Sequence, residues 1–155
     1  MLYSKSLGKT AGLALSGEAT PLLIAPRHHL GALLALGREW TPAPRPQGIR
    51  RGRAKFCFAN AARRADDKDL ELRYVEGYAL AVIGPSEEVG AFSAWILHAW
   101  CANTEDHVVE VTWKDLGTRY LGIEVDMTDV NRLLLETGEW RSVLETLSLR
   151  HAFEK

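Results

Sequence analysis

Cysteine is scarce. The 155-residue chain holds two, Cys57 and Cys101, too far apart for the Cys-x-x-Cys spacing of a redox or zinc element and too few for a disulfide framework. Long apolar runs are also missing. The longest, Leu30 to Leu36 with Gly31 inside it, falls far short of the roughly 20 residues a membrane span needs. Gly12, Ser16, Gly17 and Glu18 break the N-terminal stretch after Lys5 and Lys9 before it reaches signal-peptide length. Neither sign of charge dominates: 19 basic against 20 acidic residues leave a net charge of −1, so no long-range field gathers nucleic acid or anionic membrane. GxGxxG, Walker-type and HExxH strings are absent, which leaves nucleotide-dependent and zinc-protease chemistry unsupported. His28 and His29 are adjacent and point in different directions, so no metal site is expected there. These absences predict a cytoplasmic protein with free thiols, no membrane contact, no metal and no cofactor.

What the chain does have is an ordinary globular balance, 46% apolar and 25% charged residues, at a length that suits one domain over residues 1–155. Residues 1–40 read as an N-terminal extension, with a short strand near Leu22 to Ile24 and a helix from Arg27 to Trp40 that stops before Pro42. Residues 41–54, rich in proline, glycine and arginine, form a basic loop. Residues 55–125 form the core. KFCFANAARRADD is alanine-rich without glycine or proline and predicts a helix with Cys57 in its first turn. LRYVEGYALAVIG, AFSAWILHAWCAN, HVVEVTW and YLGIEV predict an antiparallel meander of four strands. Residues 126–155 supply two helices, one capped by Asp126 or Thr128 and one from Glu139 to Leu149. The fold class is α+β, an antiparallel β-meander packed against a Cys-bearing helix, with flanking helices.

A cysteine at a helix N-terminus gains thiolate character from the unpaired N–H groups and the positive end of the dipole, and Arg51, Arg53 and Lys55 push the same way. His98, between Trp95 and Trp100, suits a general base for it. Glu110, a single acid among β-branched residues, suits the group that orients the imidazole. A three-residue loop, Asn103 to Glu105, sets His98 directly opposite Glu110, whereas a four-residue loop sends them to opposite faces. Glu110 has a second reading, as the ion-pair partner of an arginine such as Arg73. The N–H of Cys57 would donate to an oxyanion. Asn60 and Glu76 are expected to face the same cleft, and Trp100 borders it. Cys101 alternates away from His98 and is assigned to burial.

The order Cys, then His, then an acid on adjacent strands resembles the papain-like and transglutaminase-like cysteine hydrolase superfamily. The strings CFANA, YVEGYA, HAWC, VVEVTW and YLGI, spanning about residues 55–125, are similar to small phage and prophage proteins with Cys-x-x-Asn-Ala, His-Ala-Trp and Val-Val-Asp-x-Thr motifs. The resemblance implies Cys57 as nucleophile, His98 as base and Glu110 as orienter, with Glu110 standing where that pattern has Asp. It implies Gln47 as a counterpart of the glutamine that papain-like enzymes place before their cysteine. The implied activity is acyl transfer on a peptide, protein or small acyl substrate, as a hydrolase, deamidase or transglutaminase-like enzyme, with a host protein as a target. Two rival readings stand beside it. One is a non-catalytic interaction protein using Trp95, Trp100 and Trp113. The other is a phosphate- or RNA-binding protein using Arg45, Arg50, Arg51, Arg53 and Lys55, although no recognisable nucleic-acid module accompanies that loop.

Overall fold

The computed structural model describes residues 22–23, 33, 35–86 and 90–146. His28, His29 and the ends of the two flanking helices expected from the sequence lie outside them. The elements, in chain order, are β1 (Leu22–Leu23), β2 (Arg38–Trp40), α1 (Cys57–Asp66), β3 (Arg73–Ser86), β4 (Gly90–Ala102), β5 (Val108–Val109), β6 (Arg119–Glu124) and α2 (Met127–Thr137). The fold is mixed α+β.

Two long strands carry the sheet. β3 and β4 pair antiparallel from Arg73↔Ala102 to Ser86↔Gly90, as their β-branched and aromatic content predicts. The sheet is not a sequential meander. β6 skips β5 and pairs with the far edge of β3, β2 pairs with β6, and the order is β1-β4-β3-β6-β2 with β5 on β4. Arg38–Trp40 is therefore a strand rather than the end of a helix. The turn before it closes with Gly37 N–H donating to the Leu33 carbonyl at 2.8 Å.

HVVEVTW contributes only two strand residues, for reasons local to the chain. Asn103 Oδ1 accepts the N–H groups of Glu105 and His107 at 3.0 Å each, and Asp106 takes a φ of 62°. The loop is thus five residues long, and the register becomes Cys101↔Val109 and Ala102↔Val108. Beyond Val109 the chain leaves the ladder. The Val111 carbonyl accepts from Gly52 N at 2.7 Å, and the N–H groups of Thr112 and Trp113 go to the Glu110 carboxylate at 3.0 and 3.1 Å.

Alternation along the strands sorts the core into two sides. Ala99, Cys101 and Tyr74 pack with Ala61 and Ala62 of α1 and Val130 and Leu133 of α2. Trp100, Ala102, Val75 and Ala79 pack with Trp40 and Tyr120 on the other side. The Cys101 thiol donates to the Ala61 carbonyl at 3.3 Å and so ties α1 to β4. β3 and β6 approach closely at Gly77, where a Cβ would meet the Leu121 carbonyl oxygen at 2.0 Å, and the Trp100 ring lies against Gly122. Among the described residues no helix is long and apolar enough to cross a membrane.

Candidate active site

Cys57 is the first residue of α1, half-buried, with Phe56 as N-cap. Phe56 offers no side-chain cap and the first turn holds no acidic residue. The helix start thus presents backbone N–H groups and its positive end around the sulfur with no carboxylate in that turn to oppose them. Asn60, one turn on, anchors this end. Its Nδ2 donates to the Arg53 carbonyl at 2.8 Å and to Thr112 Oγ1 at 3.0 Å. Gly52 packs so closely on the Asn60 amide that a Cβ there would lie 2.0 Å from Oδ1. Asn60 is buried, and these two bonds hold the loop and the segment after Glu110 against α1.

His98 projects from the face of β4 opposite α1, since it alternates with Ala99 and shares the side of Trp100. Over residues 96–100 the outer edge of β4 has no strand partner among the described residues, because β1 pairs at 94–95 and β5 at 101–102. At this stretch the Cys57 side chain comes within hydrogen-bonding reach of the imidazole. Nε2 lies 3.1 and 3.0 Å from the two Glu110 oxygens, which leaves Nδ1 as the nitrogen for sulfur.

Both members of this pair are buried, His98 at 1% and Glu110 at 2% exposure. A carboxylate in that setting needs donors, and it has them: Thr112 N, Trp113 N and the Tyr120 hydroxyl, the last at 2.9 Å. Tyr120 is itself fixed by Gly117 N–H at 2.8 Å. The Trp113 ring stacks on His98 with centroids 3.9 Å apart and planes 16° apart. Burial works to lower the His98 pKa, but the bonds to Cys57 and Glu110 and their charges outweigh it and raise it to about 9. Burial works to raise Glu110, and His98 with the two backbone N–H groups holds it below its ordinary value instead. The imidazole is accordingly positive at neutral pH, between a carboxylate and a sulfur.

The register differs from the expected one in an instructive way. With the five-residue loop, Glu110 extrapolates to a position opposite Trp100, diagonal to His98 rather than facing it. The parity is unchanged, so both side chains stay on one face. Arg73, the alternative partner for Glu110, pairs instead with Asp106 and with Glu124.

The other predicted site residues are placed elsewhere. Glu76 points to the α1 side and does not share the cleft of His98. It is fully buried and accepts from Tyr74 Oη at 2.6 Å, Ser142 Oγ at 2.7 Å, Val143 N at 2.8 Å and Leu144 N at 3.2 Å. It therefore holds the start of the helical segment at 143–146. Gln47 is exposed in the turn after Pro46 and is not joined to the site. Trp100 is fully buried, 6.3 Å from His98 between ring centroids and edge-on to Tyr120 at 5.0 Å; it is a floor beneath the site.

Tyr120, Thr112 and the stacking role of Trp113 are additions that sequence reasoning did not assign. Tyr120 carries no local signal, because β6 reaches this face only by skipping β5. Among the described residues, no three His, Cys, Asp or Glu side chains are grouped to hold a metal ion. No family model matches the chain, and neither a curated protein nor a solved structure matches it.

Proposed function

We propose that the protein is a cysteine-dependent acyl-transfer enzyme with Cys57 as nucleophile, His98 as acid and base and Glu110 as the residue that fixes the imidazole. We infer kinship with papain-like or transglutaminase-like enzymes on the same residues. The observation that carries the reading is the buried His98–Glu110 pair beside the half-buried Cys57, with Glu110 braced by two N–H groups and a phenol.

The chemistry follows from the charges. Cys57 sulfur attacks the acyl carbon, and the backbone N–H of Cys57 donates to the oxygen that becomes negative. As the carbonyl reforms, His98 gives its proton from Nδ1 to the leaving amine or thiol, and the acyl group remains on sulfur as a thioester. Neutral His98 then takes a proton from water or an acceptor amine, which attacks the thioester. The acyl product leaves and the thiolate–imidazolium pair returns. Throughout, Glu110 keeps Nε2 as the donor side of the ring. The interaction-protein reading draws less support, since Trp95 and Trp100 are buried at 5% and 0% exposure and so fill core rather than surface.

A direct test is to incubate the protein with aryl esters and thioesters and analyse it by intact mass and peptide mapping. Wild type is expected to carry one acyl group, on Cys57, and His98→Gln to acylate at least about a hundredfold more slowly, the lower range for loss of a general base. Equal acylation of both proteins, or none at Cys57, contradicts the assignment.

A further inference from the structure

Beside Cys57 lies a cavity of about 260 Å³, lined by Gly52, Arg53, Phe56, Asn60, Arg63 and Arg64. Its place follows from helix geometry. Asn60, Arg63 and Arg64 share one side of α1 with its N-cap Phe56 by i+3 and i+4 spacing, and Phe56 and Asn60 flank Cys57 in the chain. Three arginines line it, and none has an ion-pair partner among the described residues.

Their placement is set by other contacts. Arg53 lies over the Phe56 ring at 4.6 Å, and Arg63 is 5.9 Å from the Trp140 ring. Arg64 gives one N–H to the Arg50 carbonyl at 3.1 Å and has four donors left. Among the described residues, Arg38, Arg73, Arg119, Arg132 and Arg141 by contrast each pair with a carboxylate. A cavity lined by three arginines without ion pairs among the described residues and by an aromatic side chain, at the helix turn that begins with Cys57, has the electrostatics of an anion subsite.

We propose that this cavity binds a carboxylate on the acyl substrate whose carbonyl Cys57 attacks, so that the enzyme selects acidic acyl donors. The inference rests on the nucleophilic reading of Cys57 and adds the substrate class to it. A planar two-oxygen carboxylate suits the guanidinium fork bidentately, and the Phe56 ring suits the apolar chain that carries it.

The test compares Cys57 alkylation by three iodoacetamides with equal tails, ending in a carboxylate, its methyl ester or a phosphonate. The carboxylate reagent is expected to react about tenfold faster than the ester, the value of one charge-assisted hydrogen bond at the low end of its range. That ratio falls towards one in Arg53→Gln/Arg63→Gln and in 0.5 M salt on the order of magnitude that screening allows, and stays in Arg132→Gln, which removes a remote surface charge. Equal rates for carboxylate and ester at a reactive Cys57 overturn the subsite and leave the nucleophile standing. A phosphonate preferred over the carboxylate overturns the substrate class. A Cys57 inert to all three overturns the nucleophile, and the subsite with it.

Discussion

Glu110→Ala is expected to lower stability by about 3–5 kcal/mol, the loss typical of a buried charge deprived of its partner. Four donors converge on that carboxylate: His98 Nε2, Thr112 N, Trp113 N and Tyr120 Oη. With alanine none of them has an acceptor, and water has little access to a site exposed at 1–2%. Glu110→Gln keeps the shape and one acceptor oxygen and is expected to cost about 1–3 kcal/mol.

The pH dependence of that second difference follows from the signs. His98 is raised from 6.5 to about 9, so its contribution is whole below the unfolded value and is lost as pH rises through 9. Glu110 is lowered from 4.5, so its contribution is present above 4.5 and is lost as pH falls through the folded value. The gap between wild type and Glu110→Gln is therefore widest from about 4.5 to 6.5 and narrows on both sides. Urea unfolding at a series of pH values measures it, and a gap that is flat from pH 4 to 10 contradicts the ion pair.

Glu76→Ala has an effect of similar size with the opposite functional signature. Its carboxylate takes the Ser142 hydroxyl, the Val143 and Leu144 N–H groups and the Tyr74 phenol. Burial pushes this carboxyl above its ordinary value, and the four donors work against that push. Removal leaves three groups at the start of the 143–146 segment without their acceptor, and at least about 3 kcal/mol is the expected loss, at roughly 1–3 kcal/mol for each unsatisfied group. Hydrogen exchange at the Val143 and Leu144 amides is expected to accelerate most. Cys57 alkylation, in conditions where the variant is folded, stays within about twofold of wild type, since Glu76 faces away from His98 and distant sites act independently. A loss of reactivity comparable to His98→Gln places Glu76 in the site after all.

The contrast between these two glutamates shows what a sequence can carry. Both stand alone in apolar β-rich strings, YVEGYA and VVEVTW, and the strings look alike. Only the partner across the fold separates them, and for Glu76 that partner is 66 residues away at Ser142. The helix with Cys57 in its first turn and the long strand with His98 were legible, because alanine content and β-branching are local signals, whereas β3 runs on through Gly84 and Pro85 to Ser86. The register was not, because it depended on the Asn103 side chain capturing two backbone N–H groups and lengthening the loop. The skip of β6 to the far edge of β3 was equally hidden, and Tyr120 with it. Glu110 was expected opposite His98 but lies just past the last paired residue, Val109, and reaches the imidazole from there, with one more methylene than aspartate would have, roughly 1.5 Å.

The most direct test of the Cys57–His98 pair is the rate of Cys57 alkylation by iodoacetamide from pH 5 to 10, in wild type, His98→Ala and His98→Gln, with folding checked by near-ultraviolet circular dichroism. The proposed thiolate–imidazolium pair predicts wild-type alkylation that at pH 6 is faster than in either variant and depends less on pH. In the folded variant the rate is expected to be low at pH 6 and to rise with a midpoint near that of a free thiol, about 8.5. Superimposable profiles in wild type and variant would contradict the pair and, with it, the acyl-transfer account.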